Sequence, residues 1–322
     1  MKRRIIAILA AILAAGISMG AVAAWPEKPL TFIVPVAAGG LNDHSARLTA
    51  QWLGKALKQS VVVENKTGGN TAIGADFVAR ARPDGYTLLM AALPGLVMIP
   101  HTQKVNYDTF KSFVPISMMD ASYMAFAVNP AILPVKTFAE LVAAAKTQSS
   151  PLDYATGAVG GTGHLSMALL LKRAGITMTH VPYKGNSEAV VATLGGHVRV
   201  YVGTLSDVIA HHKSGKLRII GISSSSRLKE LPDLPTIAEQ GYPGYKIVTW
   251  NGLLAPAGTP KEVISTIASS LRSACQDAAF NASYQAIGVE AICSTPEQFS
   301  EKLQADWTMW GDAVKMLGQS LD

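Results

Sequence analysis

Short apolar runs alternate with longer amphipathic stretches along the chain. Residues 30–36 are almost wholly apolar, as in a strand buried on both faces, and residues 44–58 place their apolar side chains on one helical face. Further apolar runs lie at 61–63 and 86–90, and a second helical stretch from 70 to 81 lies between them. This alternation of strands and helices predicts a parallel sheet with crossover helices.

The alternation resumes after a loop-rich stretch at 106–115. Further strands are predicted at 125–128, 152–156, 178–181, 198–202, 217–223 and 245–250, with helices at 138–147, from 164 onward, at 261–279 and at 296–317. No flexible linker separates the two sets of elements, so we expect strands that cross between two domains. The predicted domains are 25–122 with 250–322, and 123–249.

The first 24 residues have the three-part pattern of a secretory signal peptide. Lys2, Arg3 and Arg4 precede an apolar run that ends in small residues just before Trp25. This pattern predicts export and cleavage after Ala23 or Ala24, and an uncleaved membrane anchor is the alternative. The segment carries three of the 28 basic residues and no acid, so the remainder has 25 basic and 22 acidic residues. A net charge of +3 without a basic cluster argues against nucleic-acid binding.

The length of 322 residues suits two domains, and the hydrophobic fraction of 49% supports packed cores. Two cysteines, Cys275 and Cys293, lie in the C-terminal region. In an oxidising compartment they would form a disulfide, and two buried thiols are the alternative, because spacing alone does not give geometry.

Two turns rich in small residues each join a predicted strand to a helix. Ligands bind beyond the carboxyl ends of strands in open parallel sheets, and the free N–H groups of a following helix favour an anion. Two such turns facing each other across a cleft would hold a carboxylate, whereas each alone would be an ordinary tight loop. The first turn contains Val36, Ala37, Ala38, Gly39, Gly40 and Asp43, and the second contains Thr156, Gly160, Gly161, Thr162 and His164.

Several other residues complete the candidate ligand-binding set. Asp43 either binds the ligand or caps its helix, and His164 either contacts the ligand or orients the second turn. Tyr183 follows one predicted strand, and Gly203 with Thr204 follows another.

Motifs typical of enzymes are missing from the mature sequence. A Gly-x-Ser-x-Gly pattern occurs at 16–20, inside the predicted signal segment, and there is no His-Glu-x-x-His, Cys-x-x-Cys or Walker loop. The sequence therefore predicts a non-enzyme without cofactor or metal. A hydrolase whose active site assembles from distant residues is the alternative.

Several motifs follow one another in a characteristic order. They are Trp25-Pro26-Glu27-Lys28-Pro29, Gly39-Gly40 with Asp43 and Arg47, Val61-Val62-Val63-Glu64-Asn65-Lys66, Pro83-Asp84-Gly85-Tyr86-Thr87, His180-Val181-Pro182-Tyr183-Lys184-Gly185 and Ala255-Pro256-Ala257-Gly258-Thr259-Pro260. This succession, over essentially the whole mature chain, resembles the receptors of tripartite tricarboxylate transporters, also called Bug proteins.

The resemblance implies an α/β, two-domain periplasmic binding protein of the Venus-flytrap type, similar to type II, with parallel-rich sheets flanked by helices and the ligand cleft between the domains. It implies a periplasmic receptor that captures a small organic carboxylate through backbone amides and waters, and a monomer is the default expectation for this role. It also implies delivery to a membrane transporter with a large and a small subunit. A periplasmic sensor that feeds a signalling system is the alternative role.

The chain departs from the family pattern at three places. Val36-Ala37-Ala38 replaces the middle of the first family loop, and the hydroxyl usual in the second loop is either supplied by Thr156 or Thr162 or is missing. Gly203-Thr204 stands where the family often has an aspartate, which would suit a ligand amino group. Its absence favours a plain carboxylic acid, aromatic or dicarboxylic, over an amino acid.

Overall fold

The structure is a computed structural model that describes residues 25–228 and 231–318, so the predicted signal segment lies outside the described residues. The strands are β1 (Leu30–Val34), β2 (Val61–Asn65), β3 (Thr87–Ala92), β4 (Phe113–Val128), β5 (Asp153–Thr156), β6 (Thr179–Pro182), β7 (Val200–Thr204), β8 (Arg218–Ile222), β9 (Val248–Pro256) and β10 (Glu290–Ala291). The α-helices are α1 (Leu41–Leu57), α2 (Ala72–Ala79), α3 (Ile99–Thr102), α4 (Phe138–Thr147), α5 (Thr162–Ala174), α6 (Asn186–Leu194), α7 (Leu205–Lys213), α8 (Lys261–Ala274), α9 (Ala278–Ala286) and α10 (Pro296–Leu317). A π-helical segment at Pro94–Met98 precedes α3, and a 3-10 turn at Gly69–Thr71 precedes α2.

The sheet has two halves that share β4. The strands pair in the order β2-β1-β3-β9-β4-β7-β5-β6, and β10 and β8 also pair with β4. Residues 113–123 of β4 pair with β9, whereas residues 124–128 pair with β7 and β8. The step from Tyr123 to Met124 is called the junction below. The predicted domain ranges, 25–122 with 250–322 and 123–249, stay a prediction.

Strand directions determine where the loops after β1 and β5 lie. β1 is parallel to β3, β3 is antiparallel to β9, and β9 is antiparallel to β4, so β1 and β4 run the same way. β5 is parallel to β7, which is antiparallel to β4. β1 therefore ends toward the second half of the sheet, and β5 ends toward the first half. The loops after these two strands approach the junction from opposite sides.

Two sequence predictions about the elements are wrong. The stretch at 106–115 was predicted as loop, but β4 begins at Phe113 and continues through Pro115 and Asp120, where register shifts interrupt the pairing with β9. Such irregularities let a strand tolerate proline and polar residues, which hid the apolar pattern. The helix predicted at 261–279 is two helices, because Asp277 accepts hydrogen bonds from the amides of Ala279 and Phe280 and caps α9.

Apolar packing connects the two halves of the sheet. One core cluster contains Ile33 and Leu254 from the first half together with Phe126 and Val202 from the second. Helix α10 contacts β4, the π-helical segment and α5, and so touches elements of both halves. In the described ranges, no helix has the length and apolar character needed to cross a bilayer.

Cys275 and Cys293 form a disulfide, with 6.1 Å between their Cα atoms, which decides between the two alternatives left by the sequence. The bridge encloses α9. Tyr284 on α9 packs against α1, where its hydroxyl lies 2.6 Å from Thr49 Oγ1 and 3.4 Å from Ser45 Oγ. The disulfide therefore holds α9 at the side of the helix that follows the first turn.

Candidate functional site

The first turn reverses the chain through two glycines. Gly39 has a φ of +86°, a backbone conformation that side chains disfavour, and Gly40 is the N-cap residue of α1. The Gly39 N–H donates to Asp43 Oδ2 at 3.0 Å. The N–H groups of Gly40, Leu41 and Asn42 have no hydrogen-bond partner within the described residues. They are donors that an anion at the helix N-terminus can use.

Asp43 stabilises the first turn by accepting the Gly39 hydrogen bond. It is 2% exposed and is the third residue of α1, so the expectation that it occupies the helix cap is wrong. Its carboxylate also accepts from Arg47 at 2.9 and 3.0 Å and from Asn65 Nδ2 at 2.9 Å. Burial alone would raise the pKa of Asp43. The hydrogen bonds from Arg47, Gly39 and Asn65, together with the charge of Arg47, outweigh burial, so the pKa of Asp43 is lowered. Contact of Asp43 with a ligand stays a prediction.

The rest of the first turn is held at one end and exposed at the other. The Val36 carbonyl accepts from Asn65 Nδ2 at 3.0 Å, which ties the turn to β2. Ala37 and Ala38 are exposed and carry no polar side-chain atoms. Any polar contribution from Ala37 or Ala38 to ligand binding would therefore come from the backbone.

The second turn repeats the backbone of the first. Gly160 has a φ of +70°, and Gly161 caps α5 with φ −78° and ψ 171°, close to −80° and 166° at Gly40. The Gly160 N–H donates to His164 Nδ1 at 3.0 Å, the same four-residue step as in the first turn. The N–H groups of Gly161 and Thr162 are without a partner in the described part of the chain.

His164 belongs to a stack of rings behind the second turn. Its imidazole stacks on that of His180 with 4.0 Å between centroids, and His180 stacks on Tyr154 at 5.0 Å. Burial lowers the pKa of His164, and burial together with the nearby His164 lowers the pKa of His180 to about 4. Because Nδ1 accepts from Gly160, neutral His164 carries its proton on Nε2. His180 was not singled out as a candidate from the sequence.

The two threonine hydroxyls of the second turn are engaged inside the protein. Thr156 Oγ1 donates to the Ala158 carbonyl at 3.1 Å and lies 2.7 Å from His180 Nε2. Thr162 Oγ1 faces Met98 Sδ at 3.6 Å. Both residues are buried, so in this structure the donors at the second turn are backbone N–H groups rather than these hydroxyls.

Gly203 and Thr204 end β7 beside the junction, where they pair with Ala125 and Met124. A Cβ atom at Gly203 would lie 2.0 Å from Tyr201 Oη, so the tyrosine hydroxyl occupies the space of any larger residue. Thr204 is the N-cap residue of α7 and is buried.

An acid that the sequence analysis missed lies close to this strand end. Asp207 Oδ2 accepts from Tyr201 at 2.8 Å and from Asn186 at 2.8 Å. Burial raises the pKa of Asp207 despite these hydrogen bonds. The argument against an amino acid ligand rested on the lack of an acid at Gly203, and Asp207 weakens that argument.

Tyr183 has surroundings different from those of the two turns. Its backbone N–H donates to the Thr156 carbonyl at 2.9 Å, but its side chain packs against a core cluster of the second half. The side chain lines a shallow depression with Ser187, Glu188, Val191, Ala192 and His197. A ligand-binding role for Tyr183 stays a prediction that this placement does not support.

A buried polar cluster beside the junction was also missed by sequence reasoning. Asp120 on β4 is 1% exposed and accepts from the Ser45 hydroxyl and from Asn251 Nδ2, the latter at 2.9 Å. Asn42 in the first turn of α1 donates to Asn251 Oδ1 at 2.7 Å. Burial raises the pKa of Asp120 to about 7, although the hydrogen bonds from Ser45 and Asn251 oppose the shift. The available signal was the interruption of apolar strand sequence by Asp120 and Asn251.

Metal coordination has no candidate among residues 25–228 and 231–318, because no group of three or more His, Cys, Asp or Glu side chains converges there. Among the described residues, the unpartnered donors of the two turns are backbone amides at helix N-termini, and the strand directions point both turns toward the junction. Chemically, this arrangement can neutralise and orient anionic groups.

The two-halved α/β fold, with a helix-capping turn on each side of the junction, is that of a two-domain periplasmic binding protein. A family model for the tripartite tricarboxylate transporter family receptor matches residues 45–319. The chain belongs to this family. It is 32% identical to Protein BugT of Bordetella pertussis (strain Tohama I) over 302 residues, which cover 92% of this chain and 91% of BugT.

Solved structures agree with the family assignment. The periplasmic binding protein BugD superposes with a TM-score of 0.83 and 32% identity, over 92% of this chain and 99% of BugD. Rpa4515 of R. palustris, solved with adipate, superposes with a TM-score of 0.85 and 29% identity, over 91% of this chain and 98% of Rpa4515. MatC (Rpa3494) of Rhodopseudomonas palustris, solved with bound malate, superposes with a TM-score of 0.82 and 26% identity, over 90% of this chain and 100% of MatC.

Proposed function

We propose that this protein is an exported periplasmic receptor that captures a small dicarboxylic acid at the junction and delivers it to the membrane subunits of a tripartite tricarboxylate-type transporter. The observation that carries the proposal is the pair of matching turns. Each turn presents backbone amides at a helix N-terminus that have no partner among the described residues, and strand directions bring the turns toward the junction from opposite sides.

A dicarboxylic acid fits this arrangement better than an acid with one charged end. One carboxylate would accept from Gly40, Leu41 and Asn42, and the other from Gly161 and Thr162. Preformed amides of this kind hold a desolvated anion without reorganising. Two similar proteins were solved with adipate and malate, which are dicarboxylic acids.

The same features argue for capture rather than catalysis. The side chains nearest the turns, Asp43 and His164, are each engaged with a backbone N–H of their own turn. Within the described residues, neither side chain hydrogen-bonds to a hydroxyl or thiol that it could activate as a nucleophile. We therefore propose a binding role without chemical conversion of the acid.

The direct test is a pair of substitutions at the helix caps. Gly40→Val and Gly161→Val place a branched side chain where the anion should sit, and both positions have negative φ. A Cβ at Gly40 would have its nearest neighbour at 3.7 Å and one at Gly161 at 3.4 Å, so both variants should fold. Each should weaken adipate and malate binding at least about 100-fold in titration calorimetry.

Controls separate loss of the site from loss of the fold. Gly185→Val places the same side chain at the N-cap of α6, where nothing lies within 4 Å, and should leave affinity unchanged. The diamides of the same acids should fail to raise the melting temperature that the acids raise by mass action. Wild-type affinity in both cap variants would remove the turns from the binding site.

A further inference from the structure

Asp120 is a buried carboxyl group without a cation beside it. Its hydrogen-bond donors are the Ser45 hydroxyl, the Asn251 side chain at 2.9 and 3.2 Å and the Asn251 backbone N–H at 3.3 Å. No lysine, arginine or histidine is among its partners in the described residues. Burying a charged carboxylate without a cation is costly, so burial favours the protonated form and raises the pKa of Asp120. Asp120 can therefore gain or lose a proton near neutral pH, where a solvated aspartate stays ionised.

The cluster around Asp120 connects the junction to the proposed anion site. Asp120 lies on β4 three residues before the junction, and Asn251 lies opposite it on β9. Ser45 and Asn42 both belong to α1, the helix whose N-terminal amides form the first turn. The carboxyl group therefore lies behind the helix terminus that would receive the ligand.

Two negative charges would then compete for one helix N-terminus. Ser45 is five residues beyond Gly40, which corresponds to about 7.5 Å along a helix axis. A ligand carboxylate at the cap and an ionised Asp120 beside Ser45 would thus be about 10 Å apart. At an effective dielectric constant of about 20, their repulsion shifts a proton equilibrium by about one pKa unit.

The cluster can also accommodate a proton on Asp120. A protonated Oδ2 can donate to Ser45 Oγ once the serine hydroxyl rotates. The serine hydrogen then has Tyr284 Oη, 3.4 Å away, as an acceptor. Tyr284 in turn lies 2.6 Å from Thr49 Oγ1, so its hydroxyl keeps a partner.

We propose that Asp120 takes up a proton from solvent when an anionic ligand binds at the first turn, so that the receptor binds its acid more tightly as pH falls through the neutral range. The inference rests on the proposed function for its ligand. The coupling is specific to the first turn, because the hydrogen bonds of Asp120 within the described residues include Ser45 of α1 and no residue of α5.

Other titratable groups around Asp120 are separable from it. Burial and the Asp120 charge raise the pKa of Tyr284, which stays neutral in this range. Asp43, on another side of α1, has a lowered pKa and an ion pair with Arg47. Glu290 on β10, paired with the residue after Asp120, is exposed, and His44 is exposed on α1. The pH-dependent binding measurement is therefore repeated with the His44→Gln variant.

The test is calorimetric titration of the mature protein with adipate and with malate from about pH 6.5 to about pH 9, where both acids are ionised. Each titration is run in two buffers of different ionisation enthalpy, which reports the protons taken up. We expect the Kd to fall about tenfold from the alkaline to the acidic limit, with net proton uptake near neutral pH. Asp120→Asn should bind at all pH values with no uptake and a flat Kd, and His44→Gln should behave as wild type.

A second measurement does not depend on the variant folding. Carbon-13 NMR of aspartate-labelled protein should show a carboxyl group that titrates near neutral pH and whose pKa rises by about one unit with saturating adipate. The same signal should persist in Asp207→Asn, which removes the other buried aspartate whose pKa is raised. A flat wild-type Kd without proton uptake, or no such carboxyl signal, would overturn the coupling and leave the receptor function standing. No binding of either acid at any pH would overturn the dicarboxylate proposal and the coupling together.

Discussion

The first and second turns have the same backbone conformation, but different side chains stabilise it. In both, a glycine with positive φ donates its N–H to a side chain four residues later, and the next glycine caps a helix. In the first turn the acceptor is the carboxylate of Asp43, held by Arg47. In the second turn the acceptor is the neutral ring of His164, stacked on His180.

This difference teaches that one backbone conformation at a helix N-terminus can be stabilised by two kinds of chemistry. The charged support of the first turn has a lowered pKa, so it persists until strongly acidic conditions. The aromatic support of the second turn is lost when His164 takes a proton on Nδ1, which then cannot accept from Gly160. The first turn also has a disulfide-held helix beside it, through the contacts of Tyr284 with α1.

Removing the disulfide should have the largest effect on global stability, and its local effect should fall on the first turn, because the bridge holds the helix that packs against α1. Cys275→Ser with Cys293→Ser is expected to lower the free energy of unfolding by about 3 kcal/mol, because the bridge restricts the unfolded chain. Urea unfolding measures the loss, and amide hydrogen exchange should accelerate more at Gly39 than at Gly160. Wild-type protein in reductant is the control, and an unchanged urea midpoint would contradict the prediction.

Removing the charged acceptor should have the next largest effect. Asp43→Ala deprives the Gly39 N–H of its acceptor and Asn65 Nδ2 of one of its two acceptors, and is expected to cost about 2 kcal/mol of stability. Hydrogen exchange should accelerate at Gly39 and stay unchanged at Gly160. Asp43→Asn keeps a carbonyl oxygen and should lose less; equal losses in both variants would mean that the charge, not the acceptor, supports the turn.

Acidification should produce the smallest effect and act on the second turn. The pKa values of His164 and His180 are lowered in the folded state, so the unfolded chain binds protons first and stability falls as pH drops below about 6.5 toward 4. Because His180 is partly solvated, we expect a loss of about 1 kcal/mol. Urea unfolding across this range should show a shallower decline for His164→Gln, which keeps an acceptor but cannot be protonated. A parallel decline in both proteins would remove His164 from the explanation.

The strand–helix pattern was enough to predict the parallel pairings of β1 and β5 and the two glycine turns that follow these strands. Apolar runs and Gly-Gly pairs are local signals, and they depend little on the rest of the chain. The pattern failed at β4, where Pro115 and Asp120 interrupt the apolar run, and at the break between α8 and α9. In each case a bulge or a cap, stabilised by a partner strand or by a single side chain, determined the outcome.

The supporting side chains were harder to predict than the turns. Asp43 was expected at the helix cap, but the cap is Gly40, and the carboxylate instead bonds Gly39, Arg47 and Asn65. Position 203 carries no acid, but Asp207 accepts a hydrogen bond from Tyr201, whose hydroxyl occupies the space beside Gly203. These partners come from different elements, and their distances cannot be read from spacing along the chain.

By itself, the sequence determined the fold class, the family and the two glycine-containing turns that we propose as the anion site. It also supplied the two cysteines, although it left their pairing open. Only the tertiary structure decided that β1 and β5 end on opposite sides of one junction, because direction follows from pairing through β9 and β4. It alone placed Asp120, Asn251 and Ser45 together behind α1, since burial and charge at that point depend on three separate elements packing against one another.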